Sequence, residues 1–103
     1  MSTLQDSTLL NGLRQNDYKT LDKIYETYLP KITAMVIRNK GTRDEARDVF
    51  QEGLVVLFNK LNSPDFELTT GFSAYFYGTC KFIWLRQLKK KYRTEVTLED
   101  DEG

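Results

Sequence analysis

Between residues 21 and 36 the apolar side chains fall at Leu21, Ile24, Tyr25, Tyr28, Ile32, Met35 and Val36. Steps of three and four gather such residues on one side of an α-helix, whereas a strand would throw them alternately to two faces. The same spacing returns in Ala46, Phe50, Gly53, Leu54, Leu57 and Leu61, and again in Phe72, Phe76, Thr79, Cys80 and Ile83, while no segment reads as a strand. The expected fold is all-α, a small bundle of three to four helices, and 103 residues suffice for one such core without metal or disulfide support.

Punctuation between these stripes sets the expected boundaries. A short first helix is expected over "STLLNGLRQ", with Leu9, Leu10 and Leu13 on one side and an end at the turn-prone "QND". Asp17 is suited to cap the second helix, which runs toward Lys40 with a kink or break at Pro30, because proline lacks an amide proton and crowds the preceding turn; Gly41 closes it. Thr42 caps the third, whose first turn holds Asp44 and Glu45 at the positive end of the helix dipole and which should reach Lys60 or Leu61. "NSPDFELTTG" is then a loop of about ten residues, longer than most connections in compact domains and so a candidate working segment. The last helix is expected from Gly71 to Ser73 onward, as far as about Arg93. Residues 1–93 thus form the domain and 94–103 an acidic trailing segment.

Chemistry is constrained by what is missing. The chain has no histidine and one cysteine, Cys80, so no Ser/His or Cys/His nucleophile pair, no disulfide framework and no ordinary zinc set can be assembled from it. No catalytic residue, metal or cofactor is assigned. The longest apolar run, "LVVLF" at 54–58, is far short of a membrane span, and "MSTLQDSTLL" lacks the features of a signal peptide, so a cytoplasmic protein with no membrane partner is expected.

The zero net charge hides a segregation. Residues 72–93 carry six cations and no acid, and residues 94–103 carry Glu95, Glu99, Asp100, Asp101 and Glu102 with no cation. On a helical wheel Tyr75, Phe82, Arg86, Lys89 and Arg93 share one side of the last helix, and Tyr77, Lys81, Trp84, Leu88 and Lys91 another. Tyr77 and Trp84 read more readily as core. Rings alternating with cations on the Tyr75 side suit an unpaired nucleic-acid strand, because rings stack on bases and cations follow phosphates. On the third helix Asp48, Gln51, Glu52, Val55 and Asn59 form a polar face, and since Val55 and Val56 cannot both point inward, one apolar group is left among acids. Such a stripe suits a basic helical partner. These patterns leave two readings open: a nucleic-acid binder, or a helical adaptor whose basic helix meets an acidic partner or anionic surface. A carboxylate-dependent nuclease has only Asp65 and Glu67 near the basic helix to support it.

Taken in order, "LRQND", "IYETYLPKI", "GTRDEARDVFQEGLVVLF" and "GFSAYFYGTCKFIWLRQLKKKYR" resemble region 2 of bacterial sigma factors of the extracytoplasmic-function group, over residues 7 to 93. The resemblance implies a transcription initiation role in which the third helix, through Asp48, Gln51, Glu52, Val55 and Asn59, binds the clamp helices of the RNA polymerase beta-prime subunit. It implies that the loop, through Asn62, Ser63, Asp65, Phe66, Glu67, Thr69 and Thr70, receives an unpaired base of the minus-ten promoter element. The last helix would hold the non-template strand with Tyr75, Gly78, Lys81, Phe82, Arg86, Lys89, Lys90 and Arg93. An anti-sigma factor is a further partner of the family. Gly78 stands where the family often has arginine, Phe82 where asparagine is frequent and Arg86 where aspartate or asparagine is common, so base preference is expected to differ. "EVTLEDDEG" looks like the start of the family's interdomain linker, and the second, minus-thirty-five-reading domain is not in this sequence.

Overall fold

The computed structural model describes residues 4–63, 65–68 and 70–102, with side chains described for 7–63, 65–68 and 70–93. The expected all-α bundle is found. It consists of α1 (Leu4–Arg14), α2 (Tyr18–Arg38), α3 (Arg43–Leu61) and α4 (Phe72–Glu102), with no strand among the described residues. Helices α2, α3 and α4 pack on one another, and α1 lies against α2 and α3.

Local chemistry accounts for the helix ends. The Asp17 carboxylate accepts from the Lys19 amide at 3.1 Å and from the Thr20 hydroxyl at 3.0 Å, starting α2 as expected. At α3 the Thr42 hydroxyl accepts from the Glu45 amide at 3.1 Å, and the Thr42 amide donates to the Glu45 carboxylate at 3.0 Å. This reciprocal box satisfies two amides that the first helical turn would otherwise leave unpaired. Helices α1 and α2 stop in the same way. Asn16 (φ 57°) and Lys40 (φ 71°) take left-handed backbone conformations, and the next residues' amides reach back to Gly12 and Val36 carbonyls at 2.9 and 2.8 Å.

Gly41 was expected to close α2, but the left-handed residue is Lys40, one position earlier. Gly41 is needed for space: a Cβ there would collide with Val36 Cγ1 and stand 2.7 Å from the Trp84 ring. The expected kink or break at Pro30 is not realised as an interruption, since α2 is assigned continuously from Tyr18 to Arg38. Pro30 and Glu26 are both exposed, so water can take the Glu26 carbonyl that loses its amide partner. The last helix does not stop near Arg93 but continues to Glu102, because no glycine or proline interrupts residues 79–102.

The core is an aromatic cluster closed by aliphatic residues. Phe50 and Phe76 meet edge to face at 5.3 Å, Tyr28 lies 5.6 Å from Phe72 and 5.7 Å from Phe76, and Tyr25 is 4.7 Å from Phe50. Rings from α2, α3 and α4 thereby interlock, each tilted or edge-on pair contributing about 0.5–1.5 kcal/mol beyond its burial. Further along α4, Trp84 is buried and its indole N–H donates to the Asn39 carbonyl at 3.1 Å. That contact ties the basic half of α4 to the end of α2.

Candidate functional site

Two outward faces of this frame carry the polar and aromatic residues singled out above. On α3, Ala46, Val49, Phe50, Gly53, Leu54, Leu57 and Leu61 turn inward. Helical spacing therefore leaves Asp48, Gln51, Glu52, Val55 and Asn59 outside, and all five are exposed. Val55 is 57% exposed while Val56 is half-buried against the core, so the apolar group among the acids is Val55.

On α4, Phe72, Phe76, Cys80 and Ile83 are buried. Trp84 joins them, and Tyr77 is half-buried with its hydroxyl 3.5 Å from Arg38 Nη2, which donates to it. The core reading of these two rings holds for Trp84 and in part for Tyr77. Opposite the core, Phe82 is 62% exposed, and the Arg86 guanidinium sits over its ring at 5.8 Å. Gly78 is exposed, and a Cβ there would meet nothing within 4 Å, so this part of the helix is open backbone. Lys81, Lys89, Lys90 and Arg93 are exposed too.

Tyr75 differs from Phe82. It is half-buried, and its ring packs at 5.7 Å against Phe66 of the 62–71 loop. That contact, together with buried Leu68, holds the loop against the start of α4. Asn62 serves as the C-cap of α3, Ser63, Asp65, Glu67 and Thr70 are exposed, and Thr69 lies outside the described residues. The described part of the loop is thus anchored on the start of α4 through Phe66 and Leu68, and Phe82 is open to solvent further along the helix.

The cations do not all lie together. Lys90 borders a cleft with Glu52, Ile83, Arg86 and Gln87, where the Gln87 amide nitrogen donates to the Glu52 carboxylate at 2.9 Å. Lys91 faces Glu45 at 3.6 Å, an exposed pair worth little in stability. Gln87 was not foreseen, because nothing in the sequence links positions 52 and 87. Leu85 (42% exposed) and Tyr92 (58%) were also missed on the outer side of α4, although their helical position opposite Phe76 and Cys80 would have revealed them. The Cys80 thiol is fully buried, and burial pushes it up to about 12, which leaves it protonated and unreactive at neutral pH. Among the described residues no group of three His, Cys, Asp or Glu side chains comes together as a metal site, and no helix is long and apolar enough to cross a membrane.

The family model for sigma-70 region 2 matches residues 24–94, which is more than half of the chain. The chain belongs to the sigma-70 region 2 family. No curated protein and no solved structure matches it. The family is one of transcription initiation factors, and membership carries a sigma-factor-like role in RNA polymerase binding and promoter recognition. Within this sigma-70 region 2 chain the matched span takes in most of α2, all of α3, the loop and the basic half of α4. Both outward faces therefore lie inside the family match, whereas α1 lies before it and residues 95–103 after it.

Proposed function

We propose that the chain is the region 2 domain of a bacterial sigma factor of the extracytoplasmic-function type, a non-enzymatic, cytoplasmic specificity component. On this reading α3 docks on the beta-prime clamp helices through Asp48, Gln51, Glu52, Val55 and Asn59, whose acidic, partly apolar character complements a basic helical partner. The 62–71 loop receives a base, and α4 holds the separated non-template strand of the minus-ten element through Tyr75, Phe82 and the cations near them. Residues 94–103 then begin the connection toward a further domain, and an anti-sigma factor would compete for one of these faces.

The observation that carries the reading is the exposed Phe82 ring beneath the Arg86 guanidinium, on the side of α4 turned away from the core. A ring held in water beside a cation is what a stacked base and its phosphate require. Extruding a base costs a few kcal/mol, and a preformed surface that binds only the open strand shifts the duplex toward melting by the difference in affinity. Phe82 cannot donate or accept the hydrogen bonds of asparagine, so it would contribute stacking and leave base choice to its neighbours. Tyr75 would contribute mainly by holding the loop, since its ring is already engaged by Phe66.

Salt-titrated binding to labelled oligonucleotides tests this. Phe82→Ala is expected to lower affinity for single strands about 5- to 150-fold, corresponding to the roughly 1–3 kcal/mol of one base stack, and to leave weak duplex binding nearly unchanged. Equal affinity for any polyanion, insensitive to Phe82→Ala, would instead favour the adaptor reading.

A further inference from the structure

Gly78 is a residue that the packing of the bundle does not account for. A glycine inside a helix is unfavourable relative to alanine, because it gives up more backbone freedom on folding. Three other glycines have a visible reason to be small: a Cβ at Gly12 would collide with Thr20, one at Gly41 with Val36 and Trp84, and one at Gly53 with Cys80. Gly78 has no such reason. Among the described residues no glycine has a positive φ, and a Cβ at position 78 would meet nothing within 4 Å. The fold would accept any good helix former there, yet the position is bare on the exposed side of α4.

The groups before and after it on that side are flat. Phe82 follows one turn later and Arg86 one turn after that, with the guanidinium over the Phe82 ring at 5.8 Å. Long side chains on a helix lean back over the preceding turn, so Arg86 covers the far side of the ring and leaves the side toward Gly78 open. One turn before Gly78, Tyr75 is braced by Phe66 at 5.7 Å. A series of planar groups is thus interrupted at Gly78, where neither ring comes within 4 Å of the Cβ position. Tyr75 and Phe82 are seven positions apart, about 10 Å along the axis at about 1.5 Å per residue. A base lying between two rings takes two stacking steps of about 3.4 Å, so it fits without displacing either. The Thr79 hydroxyl is turned back onto the Tyr75 carbonyl at 2.8 Å and is engaged with the helix itself.

We infer that Gly78 is the floor of a base-binding gap on α4, bordered by Tyr75 and Phe82, and that its missing side chain lets an unpaired base lie on the Phe82 ring with its edge against the helix backbone. The occupant must be flat, to meet the rings, and negatively charged, to suit Arg86 and the exposed Lys81 beside the gap. An unpaired nucleotide is both. This rests on the reading that α4 holds a separated strand, and it adds a steric requirement at a position where no side chain exists to make a contact. Gly78 then gives up helix stability for close approach of a ligand.

The test sets stability against binding in the full chain, using Gly78→Ala, Gly78→Leu and, as a control on the strand reading itself, Phe82→Ala. Both Gly78 variants should melt higher than wild type, Gly78→Ala by about 4–8 °C, since alanine and leucine are better helix formers and nothing obstructs them. The probes are a labelled oligothymidylate about ten nucleotides long and a sugar-phosphate chain of the same length with no bases, both at low salt. Gly78→Leu should bind oligothymidylate about 10-fold more weakly than wild type, with Gly78→Ala between them, and all three should bind the base-free chain equally. A more stable protein that binds bases less well is the expected signature, and a merely structural role for Gly78 would not produce it. If Phe82→Ala weakens oligothymidylate binding and neither Gly78 variant does, the gap is overturned and the strand reading survives. If Gly78→Leu weakens both probes alike, the gap does not take a base. A wild-type chain that binds no better to oligothymidylate than to the base-free chain, with Phe82→Ala equally indifferent, would overturn the strand reading and this inference together.

Discussion

The approach of α3 to α4 positions both outward faces, and one contact measures it. A Cβ added at Gly53 of α3 would stand 2.6 Å from Cys80 Sγ of α4 and 3.5 Å from Phe76 Cε1. The sulfur is fully enclosed, so it has no solvent into which to rotate. Gly53→Ala should therefore gain about 1 kcal/mol of helix propensity and lose about 1–3 kcal/mol to overpacking, a net loss of roughly 1 kcal/mol. Cys80→Ala removes one packed atom and should cost about 1 kcal/mol, as small core deletions do. In the double variant the new methyl enters the space the sulfur left, and the propensity gain remains. Its stability should lie near wild type, about 2 kcal/mol above the additive sum. For a chain of this size that gap corresponds to a Tm difference on the order of 10 °C, read by circular dichroism melts of the four proteins. Additive losses, or a harmless Gly53→Ala in the Cys80 background, would show that the helices do not approach at this point and would remove the basis for placing the two faces.

Other expectations are more local. Thr42→Ala dismantles the reciprocal cap with Glu45 and should cost about 1 kcal/mol in urea unfolding while α3's inner packing is untouched. Lys40→Gly relieves a left-handed backbone that costs a lysine about 1 kcal/mol, so it should raise stability despite losing the 5.8 Å contact of Lys40 with the exposed Tyr92 ring. The Cys80 thiol should resist a thiol reagent in the native protein and react at the rate of unfolding; labelling as fast as free cysteine would show that the core is open. Because burial raises this thiol from 9.0 to about 12, the unfolded chain ionises first, so its contribution to stability is whole below pH 9 and shrinks as pH rises toward about 12. Comparing the alkaline unfolding profile with that of Cys80→Ala checks the sign.

Much of this architecture was legible because helix-forming signals act over a few residues. The Asp17 and Thr42 caps and the inward stripe of α3 depend on spacings of three and four, and all three are found as expected. The same spacing placed Phe82 outside and Cys80 inside. What was not legible depends on other helices or on solvent. Nothing near Pro30 tells whether water reaches the carbonyl one turn earlier, and that decides between a break and a continuous helix. The need for glycine at position 41 comes from Val36 and from Trp84, the latter more than forty residues away. Tyr75 was grouped with Phe82 by angle, yet Phe66 shields one and not the other. The end of α4 was placed at a change of charge, but charge does not stop a helix when no glycine or proline follows.

Separable faces are the central claim, and a two-variant capture measurement tests it most directly. Immobilised RNA polymerase core is loaded with the chain, and a labelled single strand is then offered. Wild type should retain both; Glu52→Lys should be lost from the core but still bind the strand in solution; Phe82→Ala should stay on the core and fail to hold the strand. Loss of both activities in either variant with the fold intact, or of neither in both, would contradict the account of one bundle presenting α3 to protein and α4 to nucleic acid.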